Sequence, residues 1–109
     1  MSAVTVKGDL LKVARKFGDV DTIVADALRR YTIDRCVERI EKARARIRAY
    51  EKKYRVTYPV FARRVQTDAR FLRRVESKNP VWEQDAIEWQ YCIEEVKEWT
   101  ETLERILKG

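Results

Sequence analysis

The residues of this chain that could do chemistry are its many charged side chains and two thiols. The 109 residues include 24 Lys and Arg, 18 Asp and Glu, 2 Cys and no His. The sequence has no Gly-rich phosphate loop and no Ser or Cys beside a base, which are the usual starting points of phosphoryl and acyl transfer. Cys36 and Cys92 stand outside any CxxC pair, so we expect reduced core cysteines rather than a zinc site. We therefore expect a protein that is not an enzyme and that needs no cofactor.

The charges are divided along the chain. Residues 1–79 contain 21 Lys and Arg against 10 Asp and Glu, whereas residues 80–109 contain 3 against 8. A basic body can attract a polyanion, and an acidic end can cover basic surface on the same chain or on a partner. The arginines fall in clusters at Arg44, Arg46 and Arg48, at Arg63 and Arg64, and at Arg70, Arg73 and Arg74. Pairing of these clusters with the glutamates of the acidic end is the simpler interpretation, and a phosphate-binding patch is the rival.

The acidic end also carries the three tryptophans of the chain. Trp82 and Trp89 lie seven residues apart on one apolar stripe, which favours core packing. Trp99 lies beside that stripe and is the candidate anchor of a protein contact, since Trp is enriched in binding hot spots. The predicted partner-binding residues are Trp99, Glu94, Glu95, Glu98 and Glu101. The alternative, that Trp99 only widens the buried stripe, stays open.

The elements that must hold these residues are helices. Only 3 Gly and 2 Pro interrupt the chain, so helix breakers are few. From Ile33 to Tyr54, and again from Trp82 to Leu107, apolar residues recur at alternating spacings of 3 and 4, which is a heptad seam. One long helix is therefore predicted to end near Tyr54, and the last helix is predicted to begin at Pro80.

Two short helices are predicted between the seamed helices. Thr57 and Pro59 begin the first, which ends near Val65, and Thr67 caps the second, which covers 68–76. One seamed helix is rich in Arg and the other in Glu, and the connection between them is short. We therefore predict that they pack antiparallel, with Ile40 and Ile47 facing the second seam.

The first nine residues hold the one strand pattern of the sequence. Val4 and Val6 alternate with Ala3, Thr5 and Lys7. Because no other run of residues offers this strand a mate, we predict that it pairs with the same strand of a second copy across a two-fold axis. The alternative is an N-terminus that frays.

The segments AVTVK, DLLKVARKF, Gly18 and DVDTIVADALRRY together resemble a ribbon-helix-helix protein over residues 3–35. The resemblance implies a dimeric ribbon that enters the major groove of DNA. It implies DNA contacts from Ala3, Thr5 and Lys7, and a dimer strand whose inward residues are Val4 and Val6. Many such proteins are antitoxins, in which a C-terminal half neutralises a toxin, and the division of charge in this chain is similar to that plan.

The expected fold is mainly α, with a short N-terminal strand forming a dimeric ribbon, then a long helix and an antiparallel helical hairpin with two short connecting helices. Residues 1–35 are the predicted dimerisation region, and residues 36–109 are the predicted partner-binding region. The expected function is that of an antitoxin that dimerises, binds operator DNA and neutralises a toxin encoded nearby. The alternative is a helical interaction module that binds no DNA. We expect no membrane span and a cytoplasmic location.

Overall fold

A computed structural model describes residues 7–109, and these are almost entirely helical. The elements in chain order are α1 (Gly8–Ala14), a 3-10 turn (Arg15–Phe17), α2 (Val20–Tyr54), α3 (Tyr58–Thr67), α4 (Ala69–Lys78) and α5 (Trp82–Lys108). The prediction of a mainly α chain is confirmed.

The predicted fold class is wrong in its N-terminal strand. No strand or sheet occurs in residues 7–109. Lys7, the last residue of the predicted strand, instead precedes α1, and its carbonyl accepts a hydrogen bond of 3.1 Å from the N–H of Leu11. A helix start satisfies backbone groups locally, whereas a lone strand leaves them without partners. The other four residues of the predicted strand, Ala3, Val4, Thr5 and Val6, lie outside the described residues.

Short polar side chains and one glycine set the start of α2. Asp19 caps the helix, since its carboxylate accepts hydrogen bonds of 3.0 Å from both the backbone N–H and the hydroxyl of Thr22. Gly18 before it has φ +147°, a conformation that other residues rarely adopt. The helix then runs for 35 residues without a break.

The later helices begin close to the predicted positions, with two differences. The cap of α4 is Asp68 rather than Thr67, because the Asp68 carboxylate accepts a 3.1 Å hydrogen bond from the N–H of Phe71. Helix α5 begins at Trp82, two residues after Pro80. Between α2 and α3, Arg55 has φ +60°, the left-handed conformation that often ends a helix and usually belongs to Gly or Asn.

The chain divides into two compact units, Met1–Arg35 and Cys36–Gly109. In the first unit, no residue from 7 to 35 is buried. The second unit holds every buried residue of the described chain: Cys36, Ile40, Ala43, Tyr54, Phe61, Phe71, Val75, Trp89 and Cys92. The hydrophobic core therefore belongs to the second unit.

The centre of that core is Trp89, which has no exposed surface. Its ring centroid lies 5.7 Å from Tyr50, 5.8 Å from Tyr54, 5.3 Å from Tyr58 and 5.3 Å from Phe61. These five residues form the aromatic cluster. Its stacked and edge contacts are the arrangements that aromatic pairs prefer. The cluster joins the end of α2, the first turns of α3 and the third turn of α5.

Within the second unit, α2 and α5 pack antiparallel. Lys53, near the end of α2, contacts Asp85 in the first turn of α5, and Arg39, more than three turns earlier on α2, lies over the ring of Trp99. Later residues of α5 therefore contact earlier residues of α2, as antiparallel packing requires. Ile40 is buried as predicted, whereas Ile47 is only partly buried against the edge of the core.

We predict that Phe61→Ala lowers the free energy of unfolding by about 3–5 kcal/mol, because the ring is only 1% exposed and its removal leaves a cavity beside Trp89. Urea unfolding followed by far-UV circular dichroism measures the loss. Ile87→Ala is the matched control, since Ile87 is 70% exposed on α5 and its truncation should cost less than about 0.5 kcal/mol. Equal losses from the two variants would contradict this description of the core.

Candidate functional site

Six of the eleven exposed large apolar side chains in residues 7–109 lie in the first unit. Phe17 is 82% exposed, Tyr31 65%, Leu10 62% and Leu28 61%. Single exposed apolar residues are ordinary on a protein surface, but several within one short segment mark an interaction site. We call residues 7–35 the N-terminal segment.

The exposed residues of this segment follow helical spacing. Leu10, Val13 and Phe17 recur at spacings of 3 and 4 along α1 and the turn after it. Val24, Leu28 and Tyr31 do so along α2, where Val20 and Ile23 are only partly exposed. Residues at these spacings share a helix face. Each helix of the segment therefore presents an apolar face that the described residues leave exposed.

A second arrangement of functional groups lies between α2 and α5. The Tyr50 hydroxyl donates to the Glu88 carboxylate, which also pairs with Arg46. One turn away, Asp85 accepts hydrogen bonds of 2.6 Å from the Tyr54 hydroxyl and 2.7 Å from the Lys53 ammonium. Both tyrosines thus pack their rings on Trp89 and place their hydroxyls on acidic residues of α5.

These contacts shift the pKa values of the groups involved. Partial burial acts to raise the pKa of Asp85, but the hydrogen bonds from Lys53 and Tyr54 outweigh it, so the pKa lies below its usual value. Burial, followed by the nearby carboxylates, raises the pKa of Tyr50 and Tyr54 well above the usual value of a tyrosine. The phenols therefore stay protonated and act as hydrogen-bond donors.

The predicted partner-binding residues on α5 divide into two groups. Trp99 is partly buried, donates a hydrogen bond of 2.6 Å to Glu95, and lies 6.0 Å from the Arg39 guanidinium. The hydrogen bond from Tyr91, and then that from Trp99, lower the pKa of Glu95. In contrast, Glu94, Glu98 and Glu101 are exposed. Their spacings of 4 and 3 place these three carboxylates on one face of the helix.

The structure gives little information on the remaining predicted sites. Of the predicted DNA-reading residues, only Lys7 is described, and it is exposed. Cys36 and Cys92 are buried free thiols, and burial raises the pKa of Cys92. In the described part of the chain, no group of three His, Cys, Asp or Glu residues is placed to hold a metal ion. No helix of that part is long and apolar enough to cross a membrane.

Sequence reasoning missed the hydrogen bonds between the tyrosines and the carboxylates. In the sequence, Tyr50 and Tyr54 lie at seam positions, and Asp85 and Glu88 lie three residues apart, a spacing that puts both carboxylates on one helix face. The sequence therefore indicated the two tyrosines and the two carboxylates separately, but not their contact. Joining them required the register between α2 and α5, which the seam pattern alone does not fix.

We predict that Asp85→Asn lowers the free energy of unfolding at pH 7 by about 1–3 kcal/mol, since two hydrogen bonds to a charged, partly buried acceptor are weakened. The pKa of Asp85 is lower in the folded state than in the unfolded state. The carboxylate therefore contributes fully to the free energy of unfolding above the unfolded pKa of about 3.9, and this contribution is lost as the pH falls through the folded pKa. Urea unfolding from pH 7 to pH 2 should therefore show the two proteins converging in stability at low pH. Glu83→Gln, at an exposed carboxylate of the same helix turn, is the control, and a difference that does not change with pH would contradict the role of Asp85.

We predict that Trp99→Ala lowers the free energy of unfolding by about 1–3 kcal/mol, because the partly buried ring loses its packing and its hydrogen bond to Glu95. Chemical denaturation measures the loss of unfolding free energy, and a thermal melt checks it independently. Leu107→Ala is the control, since Leu107 is 56% exposed near the end of α5 and its truncation should cost less than about 0.5 kcal/mol. A loss below about 0.5 kcal/mol for Trp99→Ala would instead favour a ring held for a partner.

Comparison of the chain with protein-family models, with curated protein sequences and with solved structures gives no match. The described geometry must therefore carry the functional conclusion. Its two most distinctive features are the exposed apolar faces of the N-terminal segment and the charged surfaces of the second unit.

Proposed function

We propose that this protein is a helical interaction module whose N-terminal segment joins two copies of the chain. The observation that carries the proposal is that residues 7–35 bury no side chain while they expose Leu10, Phe17, Leu28 and Tyr31. Burying such side chains contributes about 1.5–3 kcal/mol each. A second chain that covers these faces would gain this energy, and the second unit already has a core of its own.

The length of the segment supports the same conclusion. The part of α2 in the first unit, residues 20–35, is about four turns long. Although α2 continues into the second unit, most helices in proteins are stabilised by packing of an apolar face more than by helix propensity. No described residue covers the apolar face of residues 20–35, so a second chain would supply the packing that stabilises this part of α2.

A second copy is the partner that the charges favour. Along residues 19–30, Asp19 and Asp21 lie at the beginning of α2, and Arg29 and Arg30 lie about two and a half turns later, where Arg30 also pairs with Asp26 at 3.5 Å. Antiparallel pairing of two copies brings the acidic end of one segment opposite the basic end of the other. Such a dimer differs from the predicted ribbon dimer, since helices form it.

A second candidate function is the binding of a basic protein by α5. The exposed face formed by Glu94, Glu98 and Glu101 supports it, since a patch of one charge steers a partner of the opposite charge. Neutralisation of a toxin would use this face, and it would not depend on Trp99, whose contacts lie within the chain. Reversal of all three charges to Lys should abolish binding of a basic partner while the thermal midpoint changes little.

We predict that Leu28→Glu weakens self-association at least about a hundredfold, because a carboxylate would be placed in the apolar contact of each chain. Sedimentation velocity of the full chain at several concentrations, up to about 100 µM, measures the equilibrium. The matched control is Ile87→Glu, which introduces the same charge at a 70% exposed position of α5 and should leave association unchanged.

Two results would overturn the proposal. A wild-type chain that remains monomeric up to about 100 µM would show that the N-terminal segment does not join two copies. Equal weakening by Leu28→Glu and Ile87→Glu would show that the contact lies elsewhere or responds only to net charge. In either case a heterologous chain would become the better partner for the exposed faces.

A further inference from the structure

The second unit contains an open cleft of about 430 Å³ at the junction of α2, α3 and α4. Its floor is formed by buried side chains, namely Tyr54, Phe71 and Val75. Its remaining lining is strongly cationic, with Lys53, Arg55, Arg64, Arg74 and Lys78 all contributing. None of its lining residues belongs to the N-terminal segment or to the acidic face of α5, and the proposed function does not use the cleft.

Two of these five cations already have acidic partners. Lys53 pairs with Asp85 at 2.7 Å, and Arg64 pairs with Asp68 at 3.3 Å while its guanidinium lies 4.2 Å from the Phe71 ring centroid. For Arg55, Arg74 and Lys78, no carboxylate lies within ion-pair distance in the part of the chain that the structure describes. The cleft therefore presents three cations whose charge no neighbouring acid balances.

The cationic surface continues out of the cleft along α4. Arg70, Arg73, Arg74 and Lys78 are exposed and recur at spacings of 3, 1 and 4, which places them along one side of the helix. Their backbone positions extend over about 12 Å. Phe71 and Val75, on the adjacent face of the helix, are buried in the core, and α4 exposes no large apolar side chain that could enter a lipid surface.

The backbone of Arg55 adds an independent observation. Its φ of +60° is the left-handed conformation, which Gly adopts without strain and which costs energy in a residue with a Cβ atom. Strained residues of this kind cluster at functional sites, where the side chain is needed in spite of its conformation. Here the retained side chain is a guanidinium that lines the cleft.

From these observations we infer that the cleft and the cationic side of α4 together bind the phosphate backbone of a nucleic acid. The planar fork of Arg matches phosphate oxygens, and a surface about 12 Å long exceeds a single phosphate but suits a duplex, which carries one charge for about 1.7 Å of its axis. The aromatic side chains of the cleft floor, Tyr54 and Phe71, are buried and offer no stacking platform for bases. The binding is therefore to the backbone and independent of base sequence.

A different explanation for the same cations is that they only neutralise the negative ends of α2 and α4, whose last turns contain Lys53 and Lys78. The two explanations differ in what substitution does. A cation that serves its own helix affects stability, whereas a phosphate contact affects binding and its dependence on salt.

The test is fluorescence anisotropy of the full chain with labelled duplex DNA and duplex RNA of mixed sequence, from about 50 to 200 mM salt. We expect binding that weakens steeply with salt. Arg74→Ala should lower the affinity about fivefold to tenfold at about 100 mM salt and reduce the slope of log affinity against log salt by about one. Arg48→Ala is the matched control, because Arg48 is an exposed arginine of α2 that does not line the cleft. This variant should change the affinity by less than about twofold.

Arg55→Gly separates binding from stability. Glycine adopts the left-handed conformation freely, so this variant should melt at the same temperature as the wild type or higher while it binds duplexes less tightly. An unchanged affinity of Arg55→Gly would overturn the inclusion of Arg55 in the site. Equal losses from Arg74→Ala and Arg48→Ala, absence of duplex binding at about 50 mM salt, or binding of anionic vesicles without binding of duplexes would overturn the inference as a whole.

Discussion

The packing of aromatic rings around Trp89 is the interaction on which the rest of the second unit depends. It holds the end of α2, the start of α3 and the third turn of α5 together. It does so although the Trp89 indole N–H is buried with no hydrogen-bond partner in the described chain. An unpaired buried donor costs about 1–3 kcal/mol, which the burial of several rings outweighs. The same packing directs the Tyr50 and Tyr54 hydroxyls at Glu88 and Asp85.

The long helix α2 therefore meets two different environments. From Cys36 to Tyr54 it contributes Cys36, Ile40, Ala43 and Tyr54 to buried positions, whereas from Val20 to Arg35 it contributes none. Both halves carry apolar residues at helical spacing. The difference lies in whether another element covers the apolar face, and this asymmetry is what the proposed association of two copies explains.

The sequence predicted the helices of the second unit well because their signals are local or periodic. The seam that includes Ile40 and Tyr54, and the one that includes Trp89, mark helix faces directly. The strand prediction was wrong in the described chain because one alternation of valines is weak evidence beside a competing helix start at Lys7. Periodicity also cannot show whether a face is covered, so the exposure of Phe17 and Leu28 could not be predicted. The left-handed backbone conformation of Arg55 could not be predicted, because that position lacks the Gly or Asn that usually indicates it.

Native-state hydrogen exchange along α2, at several protein concentrations, tests the central claim most directly. Opening of a helix region exposes its amides at a free energy set by local packing. If a second copy stabilises the N-terminal segment, amides of residues 24–35 gain protection as concentration rises by mass action, while amides of residues 40–54 keep the same protection. Protection of residues 24–35 that is independent of concentration would contradict the claim, since the segment would then owe its structure to its own chain alone.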